Sequence, residues 1–234
     1  MSDHRFDTKI SVVMSVYNDE QNVAESVNSI LNQSYSNFEF LIMDDGSSDN
    51  TNEIIFQFKD PRIKIFENKT NIGLTKSLNK LIKFSTGKII ARQDSDDLSV
   101  LTRFEKQFKF LKSKNLHICT TRALIKGTNI SIPKYSHYFP VNHVMKFKNP
   151  FIHGTLFMYK NVIEDIGLYD ENYEFAQDYK LFSSLINSGF KIGIMNDRLY
   201  ILNTKNNIST NKANMQKYYF EKAKKEYKTN NSIW

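Results

Sequence analysis

Four polar residues, Asp94-Ser95-Asp96-Asp97, directly follow a short apolar run and have the side chains that bind a hard divalent cation. Carboxylates are preferred ligands of Mg²⁺ and Mn²⁺, and one or two suffice where phosphate and water oxygens complete the shell. A cation bound here would neutralise the charge of a leaving diphosphate. A second carboxylate of the cluster would accept hydrogen bonds from ribose hydroxyls. The alternative is an acidic turn that caps a helix after Leu98. The cluster taken alone favours that turn, because short motifs recur by chance.

Three further features have residue types that are typical of a nucleotide site. Asp44-Asp45-Gly46 either places a carboxylate, that of Asp45, against a uracil N–H or forms an ordinary turn before a helix. Tyr17 has a flat face that would stack on a base, although tyrosines in strands more often pack in the core or at its rim. Asn71-Ile72-Gly73 and Lys76 precede a helix, where backbone amides and a cation bind phosphate. A simple turn with a solvated lysine is an equally good interpretation of this last group.

Strands and helices alternate in the first half of the chain, which is the pattern of βαβ units and a parallel sheet. Apolar, β-branched runs predict strands at 10–17, 38–43, 63–66 and 89–92. Apolar residues at helical spacing between them predict three helices, at Val23, Val27, Ile30 and Leu31, at Ile54, Ile55 and Phe58, and at Leu74, Leu78, Leu81 and Ile82. Ligands of such sheets bind beyond the carboxyl ends of the strands. We therefore expect the groups Ser15-Val16-Tyr17-Asn18, 44–45 and 94–97 to converge on one edge of the sheet.

The second half of the chain has a mixed pattern. It predicts a helix at Phe104, Phe108 and Leu111, a strand at 116–125, a loop-rich stretch at 127–150 and an extended segment at 155–159. A helix opens at Gln177-Asp178, and two short strands are predicted at 192–194 and 199–202. The expected organisation is a nucleotide-binding half at 1–97, an acceptor-binding half at 98–203 and a basic amphipathic tail at 204–234.

The charge of the chain is concentrated in its tail. Residues 204–234 contain seven lysines and two glutamates, which is most of the net charge of +7. The nearly neutral remainder argues against a nucleic-acid groove across the body. With its tyrosines, the tail fits either an anionic membrane surface or a solvated helix packed on the body, and the second interpretation is favoured.

Composition also indicates a compartment. The single cysteine, Cys119, allows no intramolecular disulfide and is expected to be a buried structural thiol in a reducing environment. Residues 1–9, with His4 among them, show no signal peptide, and no apolar run reaches the roughly 18 residues that span a bilayer. We expect a cytoplasmic protein, peripheral at the inner face of the plasma membrane if the tail binds lipid.

An ordered series of segments resembles glycosyltransferase family 2 over about residues 8–203. They read ISVVMSVYN (10–18), SILNQSY (29–35), NFEF (37–40), MDDGSSD (43–49), NIGL (71–74), ARQDSDD (91–97), RFEKQ (103–107), NPFIHG (149–154), GLYDE (167–171) and QDY (177–179). The resemblance implies an α/β GT-A fold, Rossmann-like, with a mostly parallel central sheet flanked by helices and a mixed acceptor-binding half. It also implies an inverting sugar transfer.

The resemblance assigns roles residue by residue. Asp96 is the expected principal metal ligand, for Mn²⁺ or Mg²⁺, with Asp97 as its rival, and Asp178 is the expected general base. Gln177 is assigned to the acceptor site, and His153 has either a role in the acceptor site or a structural one. The expected nucleotide-sugar site consists of Ser15, Tyr17, Asn18, Asp45, Asn71, Lys76, Arg92, Asp94, Ser95 and Asp96.

The implied function is transfer of a hexosyl or hexosaminyl group from a nucleotide-diphosphate sugar, UDP-sugar favoured, to a hydroxyl of a glycan or lipid-linked saccharide. Synthesis of a surface polysaccharide (capsule, O-antigen or lipooligosaccharide) is the expected setting. The Gln/Arg-x-x-Arg-Trp signature of processive synthases is missing after Asp178, which favours single additions. Gln177 replaces the usual acid before the base, so a catalytically degenerate nucleotide-sugar-binding module is one alternative. A sugar nucleotidyltransferase is the other, disfavoured because residues 13–19 contain no glycine.

Overall fold

The computed structural model describes residues 7–204 and 212–230, so His4 and Lys205 lie outside the described residues. Nine strands form one sheet in the order β3-β2-β1-β4-β8-β6-β9-β5, with β7 paired to β6. They are β1 Ile10–Val16, β2 Phe38–Asp44, β3 Ile63–Glu67, β4 Ile89–Arg92, β5 Leu98–Ser99, β6 Ile118–Ile125, β7 Ser131–Ile132, β8 Phe157–Tyr159 and β9 Ile192–Leu202. The helices are α1 Val23–Leu31, α2 Thr51–Phe56, α3 Leu74–Phe84, α4 Arg103–Ser113, α5 Val141–Met145, α6 Lys160–Asp165, α7 Gln177–Asn187 and α8 Ala213–Asn230.

The first half of the sheet is parallel, as the alternation of strands and helices predicts. Every pairing among the four strands β1 to β4 is parallel. Successive side chains of a strand face opposite sides, so Val12 and Met14 contribute to one apolar cluster while Val13 contributes to the other. Helices α1, α2 and α4 cover the first face, and α3, α6, α7 and α8 cover the second. Because both faces of the sheet are covered, strands β1 and β2 are buried and apolar nearly throughout.

A buried carboxylate joins the first three strands at their amino ends. Glu39 of β2 is 3% exposed and accepts hydrogen bonds from Ser11 Oγ of β1 at 2.6 Å and Lys64 Nζ of β3 at 2.9 Å. It also accepts from the backbone N of Thr86, just before β4. Burial raises the pKa of Glu39, but these donors outweigh it and hold the pKa well below its ordinary value. Glu39 therefore acts as an ionised crosslink within the sheet.

The second half of the sheet corrects three sequence-based expectations. The predicted short strands 192–194 and 199–202 form one strand, β9, which pairs with β6 across register shifts between Thr121 and Ala123. The predicted extended segment 155–159 is a 3-10 turn at His153–Thr155 followed by the shorter β8. The acidic turn at 94–97 does not cap the helix that follows Leu98, because Leu98–Ser99 pairs with the end of β9 and α4 begins only at Arg103.

The tail helix packs on the body. Within α8, Ala223 and Tyr227 are buried against the cluster that contains α7. Glu226 binds Lys180 Nζ at 2.6 Å and the Tyr173 hydroxyl at 2.7 Å. The packed-helix interpretation of the tail is thus confirmed for residues 213–230. No helix within 7–204 or 212–230 has both the length and the apolar character to cross a membrane.

Candidate functional site

The polar groups at the ends of β1, β2 and β4 meet at one edge of the sheet, as expected. The backbone N of Asp45 donates to Val16 O at 2.8 Å, and Asn18 Oδ1 accepts from the backbone N of Ser48 at 2.8 Å. Ser95 Oγ donates to Asp19 Oδ2 at 2.6 Å, which joins the end of β1 to the acidic cluster after β4. Asp19 is not among the site residues that the sequence predicts. Its contact with Ser95 spans most of the nucleotide-binding half, so local sequence offers no signal for it.

The three aspartates after β4 have different surroundings. Asp94 Oδ1 forms an ion pair of 2.6 Å with Arg92 Nη2. Asp97 is 2% exposed, and its Oδ1 accepts from the backbone N of Asn203 at 2.6 Å, just after β9. Asp96 accepts a hydrogen bond only from its own backbone in the described residues. Of the two predicted metal ligands, Asp96 is therefore the less engaged by the protein.

Burial and neighbouring charges raise the pKa of two carboxyl groups in the cluster, those of Asp96 and Asp97. Burial, followed by the charges of Asp94 and Asp19, raises the pKa of Asp96 to about 7. Burial, with the charges of Asp94 and Asp96, raises the pKa of Asp97 to about 9. Like charges that share a site repel, and a divalent cation relieves that repulsion. The acidic cluster thus has the electrostatics of a cation site.

The number of ligands limits what the acidic cluster would bind alone. In the part of the chain that the structure describes, no three His, Cys, Asp or Glu side chains are arranged to hold a metal ion. Mg²⁺ and Mn²⁺ bound with a nucleotide take most of their ligands from phosphate and water. The donor set around Asp96 therefore fits a cation that arrives with a diphosphate and does not form a closed protein cage.

A buried polar network in the protein interior supports the backbone of the acidic cluster. Gln93 Nε2 donates to Asp97 O at 2.8 Å and to Ser26 Oγ of α1 at 3.0 Å. Arg103, fully buried at the start of α4, donates to Gln93 Oε1 at 3.1 Å and to Arg92 O at 2.7 Å. Burial lowers the pKa of Arg103 to about 10, so the side chain stays charged at neutral pH. The network ties the end of β4 to helices on one face of the sheet.

Asp45 organises the loop before α3. Its carboxylate is 2% exposed and accepts from Asn68 Nδ2 at 2.8 Å and from the backbone N of Ile72 and Gly73 at 3.0 and 2.9 Å. A carboxylate has about four acceptor positions, so one remains for a base N–H. A Cβ on Gly46 would lie 2.7 Å from Thr70 C, so only glycine allows the two loops to approach this closely.

The other predicted donor-site residues lie around this edge with different exposure. Ser15 is partly buried near the end of β1, and Tyr17, 48% exposed, follows that strand. Asn71 is exposed and accepts from the backbone N of Gly73 at 3.0 Å. Lys76 is exposed in the first turn of α3. Their roles in binding stay predictions.

The predicted acceptor-side residues lie in two places, Gln177 and Asp178 at the start of α7 and His153 in the turn before β8. Asp178 Oδ2 accepts from Asn149 Nδ2 at 2.7 Å, and burial raises the pKa of Asp178 above its ordinary value. His153 Nε2 lies 2.8 Å from the Tyr169 hydroxyl, and burial lowers the pKa of His153 so that the ring is neutral at pH 7. Gln177 is partly buried and begins α7. The contact of Asn149 with Asp178 is a second interaction that local sequence did not reveal.

Arg92 connects the two sides of the site. It is 3% exposed, and its Nε and Nη1 have no hydrogen-bond partner among residues 7–204 and 212–230. Burial lowers the pKa of Arg92, but the charge of Asp94 and, more weakly, that of Asp178 raise it overall. One buried guanidinium thus pairs with the acidic cluster within the electrostatic reach of the predicted base, and two of its nitrogens have no partner in the described residues.

A glycine permits this close approach of the two sides. A Cβ on Gly154 would collide with the Tyr200 hydroxyl and lie 2.8 Å from Asp94 Oδ2. The Tyr200 hydroxyl also accepts from the backbone N of Asp94 at 3.1 Å. The segment that carries His153 is therefore packed directly on the acidic cluster.

Comparisons with known proteins agree with this geometry. Residues 11–167 match the family described as Glycosyl transferase family 2. The chain is similar to the "Putative glycosyltransferase EpsE" of Bacillus subtilis, with 42% identity over 64% of this chain and 56% of that protein. It is also similar to the "UDP-Glc:alpha-D-GlcNAc-diphosphoundecaprenol beta-1,3-glucosyltransferase WfgD" of Escherichia coli, with 33% identity over 55% of this chain and 51% of that protein. The chain thus spans little more than half the length of these curated relatives.

Solved structures show the same fold at low sequence identity. S. aureus TarS 1-349 in complex with UDP-GlcNAc matches with a TM-score of 0.75 and 19% identity, over 87% of this chain and 61% of that chain. A mannosyltransferase from Pyrobaculum calidifontis in complex with GDP-Man and Mn²⁺ matches with a TM-score of 0.68 and 18% identity, over 83% of this chain and 56% of that chain. The expected α/β architecture of the GT-A type is thereby confirmed.

Proposed function

Because the chain belongs to glycosyltransferase family 2, we propose that it transfers a sugar, with inversion, from a UDP-sugar to a hydroxyl of a glycan or lipid-linked saccharide. The observation that carries the proposal is the close approach of the two predicted sides of the site. Asp94 lies 2.6 Å from the buried guanidinium of Arg92, and a Cβ on Gly154, next to His153, would lie 2.8 Å from Asp94 Oδ2. The charge of Asp178 also acts on Arg92, so the predicted donor site and the predicted base share the field of one buried cation.

The donor side supplies binding and charge neutralisation. Asp94 would accept from the ribose, Asp96 would hold Mn²⁺ or Mg²⁺, and Asp45 would accept from the base. The unpartnered N–H groups of Arg92 suit a diphosphate oxygen or a donor-sugar hydroxyl, because a buried cation without partners gains most from an anion. A bound cation supplies stabilisation of the charge that develops on the leaving diphosphate.

The acceptor side supplies the base. Asp178 would take the proton of the acceptor hydroxyl as its oxygen forms a bond to the anomeric carbon. The bond from that carbon to the diphosphate oxygen breaks on the opposite face, so the configuration inverts and no covalent enzyme intermediate forms. The raised pKa of Asp178 makes it a stronger base than an exposed aspartate. Asn149 holds the carboxylate in place.

The relatives support the substrate classes. The name of the Escherichia coli relative specifies UDP-Glc and a diphosphoundecaprenol-linked acceptor, and TarS was solved with UDP-GlcNAc. We therefore place UDP-linked hexoses or N-acetylhexosamines first among donors, and a lipid-linked saccharide of a surface polysaccharide first among acceptors. Single additions are proposed because the signature of processive synthases is missing.

One observation favours a second candidate function. Gln177 stands where the family usually has an acid, which fits a nucleotide-sugar-binding module without transfer activity. Such a module would bind a UDP-sugar with Mn²⁺ yet release no UDP.

The test measures UDP release and donor binding by the purified chain with UDP-Glc and UDP-GlcNAc, with Mn²⁺ or EDTA. We expect metal-dependent release that Asp96→Asn abolishes. Asp197→Asn, which changes an exposed aspartate paired with Lys106, should behave like the wild type. Release that persists in Asp96→Asn would refute the metal-site assignment. Binding without release, for either donor and with lipid-linked acceptor present, would favour the binding module.

A further inference from the structure

Residues 134–148, which we call the aromatic–basic segment, expose four large aromatic side chains. Tyr135 is 72% exposed, Tyr138 67%, Phe139 60% and Phe147 74%. Single exposed apolar residues are ordinary on a protein surface. Four exposed aromatic rings within fifteen residues are more than scattered surface residues, and such a concentration is typical of an interaction surface.

The stretch of sequence that contains this segment carries charge of one sign. From Lys106 to Ile163 the sequence contains nine lysines and one arginine and no aspartate or glutamate. Three of these lysines, Lys134, Lys146 and Lys148, lie in the segment itself. A surface of this kind attracts an anionic partner.

The backbone of the segment is fixed to the body while its aromatic rings stay exposed. Met145 is buried, and its carbonyl accepts from the Tyr179 hydroxyl of α7 at 2.5 Å. The carbonyl of Asn142 accepts from the Tyr227 hydroxyl of α8 at 3.2 Å. Arg122 Nε donates to Pro133 O at 3.1 Å, which adds a further positive charge beside the start of the segment. The exposed rings are therefore presented by a held backbone.

We propose that the aromatic–basic segment docks this protein on the surface of an anionic lipid bilayer. Aromatic rings enter the boundary between headgroups and acyl chains, and lysines beside them pair with anionic headgroups. Phe139 and Phe147 carry no polar group, so the acyl boundary of a lipid surface can take up both rings without leaving a polar group unpaired. The proposal uses no residue of the sugar-transfer chemistry and stands independently of it.

The structure distinguishes this surface from the tail that the sequence suggested for membrane contact. In α8, Ala223 and Tyr227 are buried, and Tyr219 and Phe220 pack against the body. The apolar residues that would enter a bilayer from the tail are thus largely used for packing. Segment 134–148 has its aromatic residues available.

The segment also adjoins the acceptor side of the site. Asn149, the residue that follows it, binds Asp178 at 2.7 Å. Docking through residues 134–148 would bring the start of α7 close to the lipid surface.

The experiment is flotation of the purified chain with vesicles of phosphatidylcholine, with and without phosphatidylglycerol. We expect binding only to the anionic vesicles, weakened by salt, and weakened by roughly tenfold or more in the triple variant Tyr138→Ser/Phe139→Ser/Phe147→Ser. The matched control is Met215→Ser/Tyr218→Ser, which removes exposed apolar side chains of α8 and should bind like the wild type.

Four outcomes would overturn the proposal. They are no binding by the wild type, unchanged binding by the triple variant, an equal loss in the α8 control, and a wild-type dimer that the triple variant converts to a monomer without vesicles. The last would show that the segment contacts a second copy of the chain. If the melting temperature of the triple variant is lower than that of the wild type, the variant Lys146→Glu/Lys148→Glu replaces it in the same assay. This variant leaves every aromatic ring in place.

Discussion

At the scale of single residues, the site uses the same side chain in several environments. Asp96 is little engaged by the protein, Asp97 is bound by the backbone of Asn203, and Asp178 is held by Asn149. The sequence was sufficient to place these aspartates after a strand or at the start of a helix, because each lies within a recognisable segment, while their roles stay predictions. It was insufficient to find Asn149 or Asp19 as their partners, because those contacts join residues far apart along the chain.

The role proposed for Asp178 predicts a loss of turnover without a loss of donor affinity. Asp178→Asn keeps the size and hydrogen-bonding capacity of the side chain but removes the base. We expect kcat to fall by about 10²–10⁴, the usual contribution of a general base. UDP-sugar affinity, measured by calorimetry, should stay within about twofold of the wild-type value. A twofold change corresponds to about 0.4 kcal/mol of binding free energy. Retained transfer would remove Asp178 from the chemistry.

The hydrogen bond from Asn149 predicts a shift in the pH profile. Its donation to the carboxylate lowers the pKa of Asp178, so Asn149→Ala should raise that pKa further above the ordinary value. Because the base must be ionised, the acidic limb of kcat/KM should move to higher pH. The control is Asn142→Ala, an exposed residue whose contact is made by its backbone. A limb that stays in place would show that Asn149 serves structure alone.

At the scale of elements, regular patterns were predictable and exceptions arose from pairing across the sheet. The first four strands and three helices were predicted from apolar periodicity, which their burial on two covered faces explains. Strand β9 was predicted as two pieces because the polar residues Asn196-Asp197-Arg198 resemble a turn. Pairing with β6 keeps them extended, and the register shifts accommodate the extra residues. Strand β5 forms only because β9 lies beside it.

Glu39 predicts a dependence of stability on acid. We expect Glu39→Gln to lower the free energy of unfolding at pH 7 by about 2–4 kcal/mol, since it removes a buried charge with several donors. The folded-state pKa of Glu39 is lowered, so its stabilisation is complete above the ordinary value of 4.5 and is lost as pH falls below it. The difference between wild type and variant, from urea unfolding, should therefore narrow below that pH. Glu164→Gln, at an exposed pair, is the control and should change little.

At the scale of the whole molecule, one continuous sheet carries both halves of the site. The boundary expected at residue 97 falls between β4 and β5, yet strands from both sides of it belong to the same sheet. The separation of donor and acceptor functions into 1–97 and 98–203 stays a prediction. What the sequence could not supply was the order of strands in the second half, since that order depends on contacts distant in sequence.

The packing of α8 predicts that the described part of the tail contributes to stability. Tyr227 is 1% exposed, so Tyr227→Ala should lower the free energy of unfolding by about 3–5 kcal/mol, as for other large aromatic residues in cores. Tyr218→Ala, on the same helix at 65% exposure, should change it by less than about 0.5 kcal/mol. Urea unfolding measures both. Equal, small effects would mean that α8 is not part of the cooperative unit.

The backbone contacts of the acidic residues have a consequence for sequence divergence. Asp45 is bound by the main-chain N–H of Ile72 and Gly73, and Asp97 by that of Asn203. Every residue except proline provides such a donor. The contact with Asp97 therefore sets no requirement on the type of side chain at 203 other than the presence of a backbone N–H. Among variants at position 203 that are selected for activity, this contact excludes only proline. Side-chain variation in an alignment would therefore understate the importance of the position.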